Sequence, residues 1–309
     1  MSSGRPCVAV IGLGLMGGCL ARDLSALGWR VVAADRDPAA LDAAIADGVV
    51  DEGFEAGGVA GGVLESVDVV VLATPVPAAR ELLPWLASVA PAGAVLTDLG
   101  STKRSVLAAA GEAGLAARFV GGHPMAGDHR SGWGEARTGL FAGARVWLCH
   151  AGAEPRAVQR VAMLWSAVGA SPREIDAAEH DQLVTWSSHL PQLMASTLGV
   201  VLGLANVGPS ELGPGGRDAT RLARSDAGLW AGIVMDNADL LVPCLEAFTA
   251  GLQDLRDRVE QGREEEVRAL LEAGRAWAAR PSHGPMTAAH DDAPGHRPAR
   301  GVAGRDSSR

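Results

Sequence analysis

The sequence contains no tyrosine and only one lysine, Lys103, among 309 residues. Any reaction mechanism that needs a lysine side chain must therefore use Lys103, and none can use a tyrosine hydroxyl. Lysine and arginine together number 27, so nearly all of the positive charge is carried by arginine. We interpret this bias mainly as a coding preference for arginine, alanine and glycine.

The chain has no excess of positive charge either. Its formal net charge is −9 and its isoelectric point is near 5.4. Binding to nucleic acid or to an acidic membrane surface requires a basic face, so this balance argues against both classes of partner. A small-molecule ligand is the expectation that remains.

The four cysteines, Cys7, Cys19, Cys149 and Cys244, are widely separated in the sequence. No CxxC pair occurs, and no cysteine lies at zinc-binding spacing from a histidine. The sequence therefore predicts buried free thiols in a reducing compartment and no metal site.

Targeting signals are also lacking. The first residues, MSSGRPCVAVIGLG, do not have the charged, apolar and cleavage regions of a signal peptide. The longest apolar run, LMASTLGVVLGLA at residues 193–205, is shorter than the roughly 20 residues of a membrane-spanning helix. We therefore expect a soluble, cytoplasmic protein.

The first half of the chain alternates strand patterns with helix patterns. CVAVIGLG is a continuous apolar run that ends in glycine, which is typical of a strand buried on both faces of a parallel sheet. Further strands are indicated at RVVAAD, DVVVLATP, AVLTDLGS, RFVGGHP and ARVWLCH, with helix patterns between the first four. This order predicts an α/β fold in which residues 1–176 form a dinucleotide-binding domain, a Rossmann-type doubly wound sheet.

Strand patterns stop after about residue 176, and the length of the chain also favours a second domain. Long apolar helix patterns predict an all-helical dimerisation and substrate domain over residues 177–279. Its helices are apolar nearly all round, so we expect the second subunit of a homodimer to cover part of them. Residues 280–309 are rich in proline, glycine, alanine and charge, which predicts a disordered tail.

A G-x-G-x-x-G motif formed by Gly12, Gly14 and Gly17 lies between the first strand and its helix. In this context the first glycine permits a tight turn, the second lets the backbone approach a pyrophosphate, and the third lets helix and sheet pack closely. The backbone amides at the start of the helix, at Leu15 and Met16, are expected to bind the phosphates. A glycine-rich turn without a ligand is the alternative, which the surrounding strand and helix patterns disfavour.

The acidic residue expected at the end of the second strand is Asp35, 18 positions after Gly17. The usual separation is about 20 residues, and a carboxylate there binds the ribose hydroxyls and repels a 2′-phosphate. Asp35 therefore favours NAD as the cofactor. Arg36 beside it is suited to accept a phosphate, so NADP stays open.

Polar residues follow the carboxyl ends of the other strands, where a sheet of this kind binds its ligand. Thr74 and Pro75 follow the third strand, Ser101 follows the fourth, and His123 ends the next. A histidine beside the nicotinamide is suited to act as a general base on a hydroxyl, and Ser101 is placed to hydrogen-bond the same oxygen. A loop histidine that only bonds the backbone is the alternative for His123.

Two further histidines, His180 and His189, lie in the helical region. They are nine residues apart, which would place them on different faces of one ideal helix, and Pro191 is expected to kink that helix. Histidines at a helix surface or helix end are an equally good interpretation of either one.

Three arginines, Arg217, Arg221 and Arg224, lie within GPGGRDATRLARSDAGLW at spacings that put them roughly on one helical face. Arginine is the residue best suited to a two-point contact with a carboxylate. On spacing alone, a solvated charged face with internal aspartate pairs is the simpler interpretation.

Taken together, these segments resemble the prephenate/arogenate dehydrogenase family of tyrosine biosynthesis. The matching pieces run in order over roughly residues 7–260: VIGLGLMGG, DLGSTK, GGHPMAG, AEHDQLVTWSSHLP and GGRDATRLARSDAGLW. Many dehydrogenases share the glycine motif, whereas the histidine and arginine segments are specific. The resemblance implies NAD-dependent oxidative decarboxylation of prephenate to 4-hydroxyphenylpyruvate, with arogenate dehydrogenation to tyrosine as the alternative.

The resemblance also implies a role for each matching residue. His123 corresponds to the catalytic histidine that draws the proton of the ring 4-hydroxyl, and Ser101 to the serine that shares this hydroxyl. Arg221 corresponds to the arginine that holds a substrate carboxylate, with Asp218 as a nearby residue that orients it. Trp230 corresponds to a tryptophan near the active-site entrance that the other subunit of the dimer is able to supply.

The sequence departs from the family pattern in two places. His189 falls on the first histidine of the family's S-H-L-P-H motif, but Gln192 replaces the second, which in relatives faces the substrate's side chain. Asp128 and His129 stand where threonine or serine and then glutamate are often found. A carboxylate added there would favour the ammonium of arogenate or merely cap the next turn, and we expect prephenate.

Two other functions fit part of the pattern. A β-hydroxyacid dehydrogenase also begins with G-L-G-x-M-G, but that family uses a catalytic lysine in its second domain, and residues 177–279 contain none. A non-catalytic NAD-binding protein would not require His123, Ser101 and Arg221 to converge beside the nicotinamide.

Overall fold

The computed structural model describes residues 5–58, 62–127 and 130–280. The segment predicted to be a disordered tail lies outside this range except for Arg280, as do Asp128 and His129. The chain divides into two compact units, residues 1–249 and 250–309. The boundary expected near residue 176, where strands give way to helices, stays a prediction.

A single mixed sheet forms the framework of the first unit. Its strands in the described residues are β1 (Cys7–Ile11), β2 (Arg30–Ala34), β3 (Glu52–Gly53), β4 (Val69–Leu72), β5 (Val95–Asp98), β6 (Phe119–Pro124), β7 (Arg145–Cys149) and β8 (Ser171–Glu174). Their spatial order is β3-β2-β1-β4-β5-β6-β7-β8. Every neighbouring pair is parallel except β6 and β7. The expectation of a mostly parallel sheet is therefore confirmed.

Helices connect the strands and then continue alone. Those associated with the sheet are α1 (Leu15–Ala26), α2 (Pro38–Ala46), α3 (Val76–Val89), α4 (Arg104–Glu112) and α5 (Pro155–Ala167). Those after the last strand are α6 (Ala177–Val184), α7 (Leu190–Leu204), α8 (Pro214–Thr220), α9 (Ala227–Asp236), α10 (Ala238–Glu260) and α11 (Glu264–Ala278). The second unit contains the end of α10 and all of α11.

The apolar runs form strands that are buried on both faces. In β1, Val8 and Val10 pack into one core with side chains of α1 and α5, among them Leu24 and Trp165. Ala9 and Ile11 face the opposite way, into a second core shared with α3 and α4. Helices therefore cover both faces of the sheet, which is the doubly wound arrangement.

Two adjacent residues fix the start of α2. The Asp37 side chain accepts a hydrogen bond from the Ala39 amide at 3.0 Å, and Pro38 is the first residue of α2. A proline at this position costs no hydrogen bond, because the first amides of a helix have no partner within it.

The four cysteines are free and buried, as the sequence predicted.

The helices after β8 leave large apolar side chains uncovered in this single chain. On α7, Val200 and Leu204 are 64% and 80% exposed, and on α9 Met235 is 73% exposed. Among the described residues, no helix taken alone is long and apolar enough to cross a membrane. The successive helices α9 and α10, bent by 96° at their junction, satisfy that requirement only as a pair, by length and composition.

Candidate active site

The turn between β1 and α1 is closely packed on one side and open on the other. A Cβ on Gly17 would lie 1.9 Å from the Gly12 carbonyl oxygen, and one on Gly12, whose φ is +102°, would lie 2.6 Å from the Ala73 oxygen. A Cβ on Gly14 would meet nothing within 4 Å. Helix α1 begins at Leu15, and no side chain in the described part of the chain caps it. An open turn followed by an uncapped helix start fits the pyrophosphate of a dinucleotide.

The carboxylate of Asp35 is tied to this turn. One oxygen accepts a hydrogen bond from the Leu13 amide at 2.5 Å and the other accepts one from the Asp37 amide at 2.8 Å. Arg36 is exposed and forms no ion pair within the described residues. Asp35 thus stands beside the glycine turn, where a ribose-binding acid is required.

Other residues predicted to contact the cofactor also border the carboxyl end of the sheet. Met16, in the first turn of α1, is half-buried. Thr74 follows β4, and its hydroxyl is buried without a hydrogen-bond partner in the described part of the chain. Pro75 immediately precedes α3. A buried hydroxyl without a partner is costly, so Thr74 is suited to a ligand that supplies one.

His123 lies at the end of β6 and is only 8% exposed. Its Nδ1 is 2.8 Å from Nε2 of His180, a residue of α6, and the two rings meet edge to face. Burial lowers the pKa of His123 well below its usual value, and the neighbouring His180 and Lys103 lower it further. His123 is therefore a neutral imidazole over the physiological pH range.

His180 is in turn bound to Asp181. Its Nδ1 lies 2.8 Å from the Asp181 Oδ1 atom, and neither side chain reaches solvent. Asp181 also accepts hydrogen bonds from the Lys103 amide at 2.8 Å and from the Arg104 amide at 3.0 Å. Burial raises the pKa of Asp181, but these hydrogen bonds outweigh it and the pKa is lowered overall. The Asp181 carboxylate, the His180 imidazole and the His123 imidazole thus form one chain of hydrogen-bond contacts.

The only lysine in the chain is structural. Lys103 is fully buried, forms an ion pair with Asp98 at the end of β5, and donates to the Gly122 carbonyl of β6 at 2.9 Å. Ser101 lies in the short turn between Asp98 and Lys103 and is half-buried. The ion pair therefore fixes the two strand ends that carry Ser101 and His123.

The segment that carries the other histidine is not one ideal helix. Residues Thr185–His189 form a π-helical turn between α6 and α7. Such a turn has more residues per revolution, so it changes the direction in which His189 points. The expectation that His180 and His189 lie on different faces assumed one ideal helix, which this segment is not, and both side chains are fully buried. Pro191 is simply the second residue of α7.

His189 has one partner and one free ring nitrogen. Its Nδ1 lies 3.3 Å from the Asn237 amide nitrogen, and Asn237 also donates to the Thr185 hydroxyl at 2.8 Å. The buried Nε2 has no hydrogen-bond partner among the described residues. The half-buried Trp230 ring of the same chain meets the His189 ring edge to face, with centroids 5.9 Å apart. Burial lowers the pKa of His189 to about 4.

Gln192 is buried and holds a neighbouring turn. Its amide nitrogen donates to the Leu222 carbonyl at 2.8 Å, and its amide oxygen accepts from the Ser225 hydroxyl at 3.2 Å. Leu222 belongs to the 3-10 turn Arg221–Arg224 that follows α8. The side chain that replaces the family's second histidine is thus engaged within the protein.

The arginine turn, which we define as Arg217, Asp218, Arg221 and Arg224, is exposed. None of its arginines forms an ion pair with any described residue. The turn is therefore a solvated charged face, as its spacing alone indicated, but the internal aspartate pairs expected with it do not form among the described residues. Asp226, the nearest candidate after the turn, instead accepts a hydrogen bond from the Leu229 amide at 2.7 Å and caps α9.

Comparisons with known proteins agree with this geometry. The family model "Prephenate dehydrogenase, nucleotide-binding domain" matches residues 20–173, and "Prephenate dehydrogenase, dimerization domain" matches residues 176–273. The prephenate dehydrogenase of Bacillus subtilis is 32% identical over 274 residues, which cover 84% of this chain and 72% of the relative.

Two solved structures are similar over nearly their whole length. Prephenate dehydrogenase from A. aeolicus, in complex with hydroxyphenyl propionate and NAD+, has a TM-score of 0.81 and 29% identity, and the match covers 90% of this chain and 99% of that one. Synechocystis arogenate dehydrogenase has a TM-score of 0.73 and 26% identity, with coverages of 88% and 98%.

Proposed function

The chain belongs to the prephenate dehydrogenase family of oxidoreductases, and on that premise we propose that it oxidises and decarboxylates prephenate to 4-hydroxyphenylpyruvate with NAD. The observation that carries the proposal is the neutral, buried His123 at the carboxyl end of β6, oriented by His180. It stands on the edge of the sheet where the dinucleotide turn also lies.

The cofactor assignment rests on the fit of the chain's own groups. The open face at Gly14 and the uncapped start of α1 suit a pyrophosphate, and Asp35 suits a ribose. A carboxylate at that position disfavours the 2′-phosphate of NADP, whereas the exposed Arg36 leaves NADP as the second choice. NAD, when bound, supplies the hydride acceptor.

The chemistry requires one base and one cationic contact. Removing the hydroxyl proton and the hydride from the 4-carbon of a cyclohexadienol gives a dienone, whose ketone accepts the electron pair released when the ring carboxylate leaves as carbon dioxide. His123 would take the hydroxyl proton on Nε2, and Ser101 would hydrogen-bond the same oxygen. Arg221 would hold a carboxylate, which is possible because its guanidinium is exposed and forms no ion pair with a described residue.

The remaining residues would shape the substrate site. His189 offers a neutral, unpartnered Nε2, and Trp230 lies against its ring. Asp218 would orient Arg221. Gln192 would act indirectly, by supporting the arginine turn, because its amide already forms hydrogen bonds with Leu222 and Ser225.

Arogenate is the second candidate substrate, supported by the similarity to an arogenate dehydrogenase. The two substrates differ only in the side chain, a keto acid in prephenate and an amino acid in arogenate. Asp218 is the one carboxylate of the arginine turn, and we assign it to orienting Arg221 and not to an ammonium group of the substrate. We therefore favour prephenate.

Steady-state kinetics with both substrates and both cofactors tests the proposal. Reduced cofactor is followed at 340 nm, and we expect the highest kcat/KM with prephenate and NAD. A higher kcat/KM with arogenate would reverse the substrate assignment. Absence of turnover with either acid, in protein shown to be folded by circular dichroism, would refute the function.

We further propose that the protein is a cytoplasmic homodimer joined through its helices. The exposed apolar side chains of α7 and α9 support this assembly, and the family model that matches residues 176–273 is described as a dimerization domain. Sedimentation should give twice the 31.6 kDa chain mass. A Leu204→Glu substitution should shift it towards the monomer, because it places a charge in the proposed interface.

A further inference from the structure

The pair His123 and His180 has an assignable proton arrangement. A neutral imidazole carries one N–H, and two ring nitrogens 2.8 Å apart share a single proton. His180 Nδ1 lies 2.8 Å from the ionised Asp181, so its proton is on Nδ1 and its Nε2 holds a lone pair. His123 must then donate from Nδ1, which leaves the lone pair of His123 on Nε2.

The charges around the two rings differ. Lys103, itself paired with Asp98, faces His123 and disfavours a second positive charge there. His189 from the π-helical turn also adds to this effect. His180 instead contacts Asp181, whose carboxylate favours a cation beside it. Arg104, the remaining charged group at this carboxylate, contacts its other oxygen at 3.2 Å.

We propose that His180 and Asp181 are positioning residues for the reaction of the proposed function, and that the substrate proton finally rests on His180. The substrate O–H bond and the His123 Nδ1–H bond break, while His123 Nε2–H and His180 Nε2–H bonds form. His123 ends neutral, in its other tautomer, and the positive charge lies on His180 against Asp181. The hydride leaves separately to NAD, so no electrons move through the histidines.

This arrangement explains how a base beside a buried lysine is able to work. If the proton stayed on His123, the imidazolium would face Lys103 in a site with little water. Passing it one ring further places it 2.8 Å from a carboxylate.

The first test reads the protons directly and does not depend on substrate. In the protein labelled with ¹⁵N-histidine, we expect both His123 and His180 to be protonated on Nδ1 and unprotonated on Nε2, with signals assigned by single substitutions. In His180→Leu, His123 loses its acceptor, and its Nδ1 proton should give way to the Nε2 tautomer. A wild-type His123 protonated on Nε2 would overturn the proposal.

The second test uses turnover. His180→Leu should lower kcat by about 10²-fold, because His123 then no longer keeps its lone pair on Nε2. KM should stay within about twofold, because the residues proposed to bind the substrate are unchanged. His180→Gln, whose amide oxygen is able to accept from His123 Nδ1, should recover at least about tenfold of that loss. A glutamine variant as slow as the leucine variant would contradict the role of the acceptor.

The pH profile separates positioning from a merely structural role. The glutamine of His180→Gln cannot hold the proton, which must then stay on His123 beside Lys103. The acid limb of the kcat–pH profile of this variant should therefore lie about one pH unit or more below that of the wild type. An unshifted limb would show that the proton rests on His123. His150→Leu, at an exposed histidine after β7, is the matched control and should leave both kcat and the acid limb of its pH profile unchanged.

The outcomes distinguish failure of the proposed function from failure of the proposed proton arrangement. If the wild-type protein turns over neither acid, the proposed function fails while the NMR result still decides the proton arrangement. If His180→Leu does not fold, as judged by its melting temperature, the glutamine variant and the wild-type NMR spectrum decide between the same alternatives.

Discussion

The buried histidines and the exposed arginine turn, which we propose to be two halves of one site, are built in opposite ways. His123, His180 and Asp181 are enclosed, and each has its partner within the chain. The arginines of the turn lie in solvent without any ion pair to the described residues. A base must be aligned before the reaction begins, whereas a carboxylate-binding group must stay unpaired until its ligand arrives. Their difference in burial thus agrees with the different tasks proposed for them.

Removing the base should give the largest effect. His123→Asn keeps a polar side chain of similar reach but no group able to take a proton, so we expect kcat to fall by about 10³-fold. KM should change little, because the arginine turn is untouched. A variant that chiefly raised KM would mean that the two halves have exchanged roles, and an unchanged melting temperature would exclude unfolding as the cause.

The burial of the histidines should also make stability depend on pH. The folded pKa of His189 is lowered to about 4 from an unfolded value near 6.5, so its contribution is present above pH 6.5 and is lost as pH falls towards 4. This amounts to about 2 kcal/mol between pH 7 and pH 4.5. The free energy of unfolding of His189→Asn, measured with urea, should therefore fall by about 2 kcal/mol less than that of the wild type over the same pH interval.

His123 acts in the same direction and remains in that variant, so some pH dependence should persist. The lowered pKa values of Asp181 and Asp239 produce losses only at more acidic pH. Equal losses in wild type and His189→Asn would show that His189 is protonated in the folded protein.

Removing the arginine should affect binding before chemistry. Arg221→Ala deletes a charge-assisted contact worth about 1.5–3 kcal/mol, so we expect KM to rise by about 10- to 100-fold with kcat within a few-fold. Arg217→Ala, at an equally exposed arginine one turn earlier, is the matched control and should change KM far less. Equal effects of the two would assign the contact to the charge of the whole turn.

The smallest effect is expected at Gln192, whose side chain holds the arginine turn from within the protein. Gln192→Ala removes the hydrogen bonds that hold Leu222 and Ser225, so the arginine turn should loosen and KM should rise by about threefold to tenfold. Ser196→Ala removes only the weaker 3.3 Å contact of the same amide and serves as the control. A fall in kcat without a change in KM would place Gln192 on the histidine side.

The sequence predicts the sheet well because its signals are local. Apolar runs such as CVAVI become strands with alternate residues in two cores, and Asp37 with Pro38 fixes a helix start. His123 is predictable for the same reason, since it ends such a strand. The glycine motif is specific in this context, and the packing at Gly12 and Gly17 accounts for it.

The site details depend on contacts between distant segments. The link from His123 to His180 joins residues 57 positions apart, and helical spacing placed the two later histidines on different faces because it assumed an ideal helix. The π-helical turn at Thr185–His189 has no sequence signal that we recognise. The adjacent pair His180 and Asp181 was the available clue, because a carboxylate next to a histidine is able to fix its tautomer.

Lys103 has a practical consequence as a reporter group. Apart from the α-amino group, it is the only amine in the chain, and its Nζ is enclosed between β5 and β6. An amine-acylating reagent should therefore modify the side chain only when the junction of these strands opens. Because the chain has no other lysine, the rate at which one peptide gains the mass of the acyl group would report how often the carboxyl ends of β5 and β6, next to His123, separate.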